Sequence, residues 1–370
     1  MREEIRCLIL LVTRDCNLGC RYCYALGGEK KDYMTWETAR RAVDYVAVRS
    51  RSFKIQFTGG EPLLHFPLVK KIIAYLENHP GSVTFQLQTN GTLIDRALAR
   101  ELKRLRIGLG VSLDGPPEVN DSLRPLPGGR GSTIAVIQGL QSLAAEGVRV
   151  GVTAVLTDES TRSLPRLVEL ASYLGNVHGI SLDLLRPLGR GADSGVRAPD
   201  LDLLESRVRA ALHRAEELAQ LGGPRVRFRE AERLRRQLLQ EVTKEHYCYA
   251  TTCQSMAVVP DGSVYPCASL SGLQEFFLGN IEDPNFSLAR ALEAKKWFRQ
   301  RRGLPAGCKG CPQSEFCGGG CLVRAYAHKG RVDRPYEGDC RLKKIFWEWV
   351  RPSEKNFGRM GGFSVGTAKI

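Results

Sequence analysis

Six apolar, β-rich runs, "IRCLILLVT", "FKIQFT", "VTFQLQT", "IGLGVSLD", "VRVGVTAVLT" and "HGISLDLL", set the frame of this sequence, and a segment of helical periodicity separates each from the next. Such alternation specifies an α/β fold, because a strand that returns through a helix pairs with its predecessor in parallel. Several runs are almost continuously apolar, as expected where helices cover one face of the sheet and a packed interior covers the other. Periodicity leaves an open doubly wound sheet and a partial barrel both available. The stretches that carry chemistry decide: "CNLGCRYCY", "GGEP", "QTNG" and "SLDG" each follow a strand, at the carboxyl ends where such folds gather their sites. The expected fold is a partial (β/α)6 barrel of the TIM type, followed by a cysteine-rich region.

The second constraint is where the cysteines lie. Eight of the twelve fall between Tyr247 and Cys340, where glycines are many and regular periodicity is scarce apart from a hairpin, "MAVVPDGSVYPC", turned at Asp261-Gly262, and a helix near 287 to 301. Such a segment has too little core to stand alone and is expected to be held by metal. Residues 200 to 242 read as charged amphipathic helices broken by "LGGPR", a bridge between domains. The expected division is 1–240 for the barrel and bridging helices, 241–345 for the cysteine-rich domain and 346–370 for a last helix and a disordered Gly-rich tail. The apolar stretch Ile5 to Val12 follows Glu3 and Glu4 and lacks a small-residue cleavage site, and no run approaches the ~20 apolar residues of a membrane span. A cytoplasmic chain is expected, in which clustered thiols mean metal or redox chemistry rather than disulfides. The formal charge of +14 gathers in "RALARELKRLR" and "RVRFREAERLRRQ", helix-patterned segments that read as solvated faces or as an attraction for an acidic substrate. No zinc-finger, RNP-type or helix-turn-helix signature points to nucleic acid.

Cys16, Cys20 and Cys23 leave the first strand within eight residues. Three thiolates suit an iron-sulfur cluster with one iron left open to a small chelating molecule; a zinc site or structural thiols are the plainer readings of that run by itself. The three-x, two-x spacing with Tyr22 before the last cysteine resembles that of the radical S-adenosylmethionine (SAM) enzymes. In that family the open iron binds the amino and carboxylate groups of SAM and injects an electron, and the resulting 5′-deoxyadenosyl radical takes a hydrogen atom from substrate. "FTGGEPLL" resembles the family's motif for the SAM amino group, which implies roles for Gly59, Gly60 and Glu61. "LGVSLDGPPEVNDSLRPLPGGRGST" resembles a further SAM-binding stretch, in which Ser112 corresponds to a ribose contact and Arg124 to a carboxylate contact. Tyr22 corresponds to the aromatic beside adenine, and Leu185, ending the sixth strand, to another adenine contact.

The C-terminal pattern is Cys248, Cys253, Cys267, then "CKGCPQSEFCGGGC" with Cys308, Cys311, Cys317 and Cys321, then Cys340. Eight thiolates suffice for two four-iron clusters, or for two zinc sites. The spacing resembles the SPASM domain of radical SAM proteins, which implies one auxiliary cluster on Cys248, Cys253, Cys267 and Cys321 and a second on Cys308, Cys311, Cys317 and Cys340. With the first three cysteines that makes three [4Fe-4S] clusters, and Cys7 is left over as a buried small hydrophobe. Full ligation leaves the auxiliary clusters no open iron for substrate, so electron transfer is their expected task.

Over roughly residues 5 to 345 the layout resembles the anaerobic sulfatase-maturating enzymes and their relatives that modify ribosomal peptides. Sulfatase maturases carry an aspartate after the hairpin cysteine as their proposed base; here "YPCASL" has Ala268, which takes no proton. The peptide-maturase branch, building thioether or carbon-carbon crosslinks, therefore fits better, with a sulfatase-maturating or small-molecule cofactor-maturing enzyme as the alternative. Expected partners are a peptide or protein substrate and a flavodoxin or ferredoxin reductant. With Cys16 so early there is no room for an amino-terminal leader-recognition domain, so a leader would be held by a separate protein, the SPASM region or the basic helices. A cluster-bearing carrier without catalysis has no use for the SAM-type motifs, and a zinc module would be colourless where about twelve irons give a brown, oxygen-sensitive protein.

Overall fold

In the computed structural model, residues 4–244 and 246–351 are described. Six parallel strands, β1 (Cys7–Thr13), β2 (Phe53–Gly59), β3 (Val83–Thr89), β4 (Gly108–Ser112), β5 (Val150–Leu156) and β6 (Val177–Leu184), pair strictly in sequence order. Sequential pairing means that every crossover advances in one direction and leaves its helix on one face, which curves the sheet into a partial barrel. A doubly wound sheet would reverse its order. The connecting helices are α1 (Trp36–Ala47), α2 (Phe66–Tyr75), α3 (Arg96–Arg104), α4 (Pro117–Leu123), α5 (Thr133–Ala145), α6 (Asp158–Arg162) and α7 (Leu164–Leu174). Their starts follow from local chemistry: the side chains of Thr35, Asp95 and Thr157 each accept from the amide three residues on, supplying an acceptor to first-turn N–H groups that otherwise have none.

The faces of the strands are less uniform than their apolar runs suggest. Ile55, Phe57 and Leu87 are buried beneath helices, whereas Gln56, Gln86 and Gln88, on the opposite face, are only half-buried. The strand registers place Gln56 beside Gln86, and Gln86 beside Gly108. The interior expected to be packed with apolar side chains is thus polar along β2 and β3, and the period-two alternation of "FKIQFT" is its trace.

After β6 come a short α8 (Arg190–Asp193), then α9 (Leu201–Gln220), a two-residue strand β7 (Arg227–Phe228) against β6, and α10 (Arg229–Leu239). The expected hairpin is present as β8 (Ser255–Val258) and β9 (Ser263–Tyr265), and β10 (Gly279–Asn280) pairs with β9. β8 also pairs in parallel with β1, from Cys7 against Ser255 to Leu10 against Val258. The cysteine-rich region therefore extends the barrel sheet. Its Phe276 and Trp297, with Phe346 just beyond it, lie in the same buried cluster as Phe57, so this region does not stand alone but shares the main core.

The predicted helix near 287 to 301 is two helices, α11 (Leu288–Glu293) and α12 (Lys296–Arg301). They are followed by α13 (Ser314–Cys317), α14 (Leu322–Lys329) and α15 (Glu337–Val350). α15 runs continuously through residue 345, packed on α9 and α10. Most of the tail assigned to disorder lies outside the described residues.

Candidate active site

The carboxyl ends of β1 and β2 are joined through the main chain, and that of β3 is tied in through the Glu61 side chain. Gly60 N donates to Thr13 O and Glu61 N to Asp15 O, both at 2.8 Å. This approach is why two glycines stand there: a Cβ on Gly59 (φ +143°) would lie 2.2 Å from Thr13 O, and one on Gly60 would lie 2.0 Å from Asp15 O. The two glycines thus admit a neighbouring loop. The Glu61 carboxylate, fully buried, accepts from Leu63 N (3.0 Å) and the Thr89 hydroxyl (2.8 Å) on one oxygen and from Asn90 N (2.7 Å) on the other. Burial outweighs these donors and raises its pKa to about 7. Asn90 Nδ2 then donates to Asn17 Oδ1 at 2.8 Å, so the "QTNG" turn grips the cysteine loop from the other side.

Cys16, Cys20 and Cys23 lie on this clamped loop and act on one another electrostatically. Leu18 N points to Cys16 Sγ and Gly27 N to Cys23 Sγ, each at 3.4 Å, the kind of amide contact that stabilises a thiolate bound to iron. Burial pushes the Cys16 thiol up to about 12, so its ionisation calls for a bound cation. All twelve cysteines are free of disulfides. Among the described residues, no three His, Cys, Asp or Glu side chains are grouped as a single metal ion requires.

Tyr22 and Leu185, both buried, share a small apolar cluster with Val119 and Leu123. The Tyr22 hydroxyl donates to Asp114, and Arg124 Nη1 donates to that hydroxyl at 2.6 Å while its ion pair with Asp114 spans 3.9 Å. Arg124 Nε is buried without a partner, and the guanidinium acts on Cys20. Ser112 stands apart, accepting from Gln88 Nε2 at 3.0 Å on the polar inner face. The structure thus brings Tyr22, Leu185 and Arg124 together and leaves Ser112 in a separate row. Sequence reasoning missed Asp114, although "SLDG" was in view, and Arg190. Arg190 donates from Nε to Cys20 O (3.0 Å), from Nη2 to Gly27 O (2.9 Å) and from its main chain to Cys23 O (3.0 Å). Its trace is a position just beyond the sixth strand, behind Gly189 at φ +55°.

Seven of the eight C-terminal cysteines, Cys253 apart, fall into two neighbourhoods. Cys248 is acted on by Cys321 and Cys267, and Cys340 by Cys317, Cys308 and Cys311. Burial pushes both Cys248 and Cys340 up to about 12. Tyr24 spans the gap to the barrel: it bonds to Ser269 and lies within electrostatic range of both Cys267 and Cys23. Ala268 is buried beside them, with no proton-accepting side chain. Arg324 ties this region to the barrel, donating from Nη1 to Asp183 (2.8 Å) at the end of β6, from Nε to Asp339 (2.7 Å) and from Nη2 to the Tyr247 hydroxyl (2.6 Å), while Asp339 accepts from Cys321 N (3.0 Å). Cys7 lies buried in β1, as expected of a structural thiol.

A sheet wound in one direction, with three thiols clamped at the mouth of its first strand and further thiols in the region that follows its last helices, defines a class of iron-sulfur enzyme. Residues 10–171 match the radical SAM superfamily and residues 248–312 match SPASM, an iron-sulfur cluster-binding domain. The chain belongs to the radical SAM superfamily, which binds a four-iron cluster and SAM. Cys317, Cys321 and Cys340 lie beyond the matched SPASM stretch. Among its relatives is an uncharacterized protein of Methanocaldococcus jannaschii, MJ0907, 36% identical over 77% of this chain and 92% of that protein. Fe-coproporphyrin III synthase of Methanosarcina barkeri is 34% identical over 58% of this chain, which spans about half (52%) of that enzyme. Among solved structures, the anaerobic sulfatase-maturating enzyme anSMEcpe with bound AdoMet and the Cp18Cys peptide superposes with a TM-score of 0.76, covering 94% of this chain and 96% of that one at 24% identity. No helix among the described residues is long and apolar enough to cross a membrane.

Proposed function

We propose that this chain is a radical SAM/SPASM enzyme that modifies a peptide or protein, crosslinking or oxidising a residue of a ribosomal peptide. Cys16, Cys20 and Cys23 hold the SAM-binding cluster; Cys248, Cys253, Cys267 and Cys321 hold one auxiliary cluster, and Cys308, Cys311, Cys317 and Cys340 the other. When bound, the first cluster and SAM supply a 5′-deoxyadenosyl radical that abstracts a hydrogen atom from an unactivated carbon. The protein's own contribution is placement. Gly59, Gly60 and Glu61 fix the cysteine loop against β2 and β3 and offer main-chain groups to the amino end of SAM. Tyr22 and Leu185 form the apolar seat for adenine, Arg124 carries the positive charge toward the carboxylate, and Ser112 faces the ribose from the inner wall. Electrons come from a flavodoxin- or ferredoxin-type donor, and any leader segment is held by a separate protein, the SPASM region or the basic helices.

The observation that carries this reading is Tyr24, which bonds to Ser269 and is acted on by both Cys267 and Cys23; it supports a radical-generating loop that faces the first auxiliary group. Residue 268, next to Cys267, is alanine and offers no carboxylate, which suits hydrogen abstraction without a partnered base. The peptide bound in anSMEcpe supports a peptide substrate. The 34% identity to Fe-coproporphyrin III synthase supports a second reading, maturation of a small-molecule cofactor on the same site. Anaerobic incubation with SAM and dithionite is expected to yield 5′-deoxyadenosine, lost in the Cys16, Cys20 and Cys23 triple alanine variant. Mass spectrometry of short peptides encoded beside the gene separates the two readings: loss of two hydrogens from such a peptide supports the first, and formation of Fe-coproporphyrin III from a tetrapyrrole precursor with every such peptide unchanged supports the second.

A further inference from the structure

The two C-terminal thiol groups meet at one buried cation. Arg301, the last residue of α12, is 2% exposed. Its guanidinium donates from Nη1 to Val332 O at 3.0 Å and from Nη2 to Gly320 O at 2.6 Å and to Gly319 O. Those glycines form the "GGGC" turn that delivers Cys321. Gly319 is at φ +91°, and a Cβ there would lie 2.4 Å from Pro305, so the turn tolerates no other residue. Every hydrogen-bond acceptor of Arg301 is a neutral carbonyl. Among the described residues none of its ion-pair partners is a carboxylate; Asp339, the nearest in influence, is committed to Arg324. A guanidinium this deep costs several kcal/mol unless an opposite charge answers it.

The groups that answer it are thiols from both neighbourhoods: Cys321 first, then Cys308 and Cys248. We propose that Arg301 is the shared counter-cation of the two auxiliary clusters, holding the "GGGC" turn between them and raising both reduction potentials together. This rests on the ligand assignment above. A four-thiolate cluster gains a negative charge on reduction, so a fixed positive charge favours the reduced form, and net charge is among the main determinants of such potentials. Cys20, on the amino-terminal loop, has cations of its own in Arg124 and Arg190, so the SAM-binding cluster serves as the internal reference.

The test uses reconstituted holoenzyme with Arg301→Lys and Arg301→Gln, iron and sulfide analysis, and potentiometric titration followed by electron paramagnetic resonance. Arg301→Gln, which keeps a donor but no charge, is expected to lower both auxiliary midpoints while the SAM-binding cluster keeps its own. Arg301→Lys is expected to hold both near wild type. If Arg301→Gln takes up no C-terminal iron while Arg301→Lys loads fully, the charge is required and the proposal stands. Unmoved midpoints in a fully loaded Arg301→Gln protein, a shift of one auxiliary cluster only, or failure of both variants to load overturns it. About four irons per wild-type chain, in place of about twelve, would instead defeat the cluster assignment before Arg301 is altered.

Discussion

Gly60→Ala isolates the contact on which the site is built. The new Cβ would lie 2.0 Å from Asp15 O, 2.6 Å from Asp15 C and 2.8 Å from Arg14 O. All three atoms are main chain, so no side chain can swing aside. Reaching even the 3.4 Å limit of ordinary contact requires the loops to part by about 1.4 Å, the difference between 3.4 and 2.0 Å. The bonds from Gly60 N to Thr13 O and from Glu61 N to Asp15 O, both 2.8 Å, do not survive that separation, since well-formed N–H···O distances end near 3.2 Å. Leaving a buried donor unsatisfied costs about 1–3 kcal/mol, so two such losses amount to about 2–6 kcal/mol, a large share of a typical domain's stability. Gly19→Ala is the control: it lies in the same cysteine loop, and its Cβ would meet only Pro125 O, at 3.7 Å. Anaerobic urea denaturation and 5′-deoxyadenosine formation are to be measured on both variants. Gly60→Ala should lose several kcal/mol and most of its product, and Gly19→Ala neither. A Gly60→Ala protein within about 1 kcal/mol of wild type and fully active would refute the view that these glycines exist for loop-to-loop approach.

Arg190→Lys keeps a charge but not the fork that grips Cys20 O and Gly27 O; iron bound at the amino-terminal site is expected to be released several-fold faster to a chelator, and an unchanged release rate argues against a gripping role. Alanine at Cys308, Cys311 and Cys317 together should remove about four irons of about twelve and leave the Cys248 group loaded, so a complete loss of C-terminal iron would show the two neighbourhoods to be interdependent. Glu61 gives a pH dependence. Its folded pKa is raised to about 7 from an ordinary value near 4.5, so the unfolded chain releases this proton first and the metal-free protein loses up to about 3 kcal/mol as pH rises between those values. Glu61→Gln does not titrate, and its urea midpoint should fall less than that of wild type between pH 5 and pH 7.5; parallel losses in the two proteins would exclude Glu61 as the source.

What the sequence disclosed and what it withheld divide along a physical line. The strand order was legible because alternating β and α runs admit few windings, and the thiols were legible because neighbouring ligands of a cluster sit a few residues apart. The pairing of β8 with β1 was not: nothing in "MAVVPDGSVYPC" marks which edge the hairpin meets, and that register is set by a core assembled from both ends of the chain. The polar inner wall was written in the alternation of "FKIQFT", but continuously apolar neighbours such as β1 masked it. Gly59 and Gly60 stood out in the "GGEP" motif, while their main-chain neighbours, Thr13 and Asp15, needed the fold to name them.

The cations beside the thiols were the least visible feature, and the reason is general. Arg124 and Arg324 are answered by Asp114 and Asp339, partners a sequence can at least suggest by their charge. Arg190 and Arg301 instead seat their guanidinium groups on the main-chain carbonyls of cysteine-bearing loops, at Cys20 and Gly27 in one case and at Gly319, Gly320 and Val332 in the other. Every residue carries a carbonyl, so such a partner leaves no mark in the sequence. Arg190 also pairs with Glu29 at its outer edge (3.2 Å), and on Cys20 it acts after Arg124. The two arginines that the motifs could not predict are therefore the two that pin a cysteine loop by its main chain, a role no side-chain pairing announces.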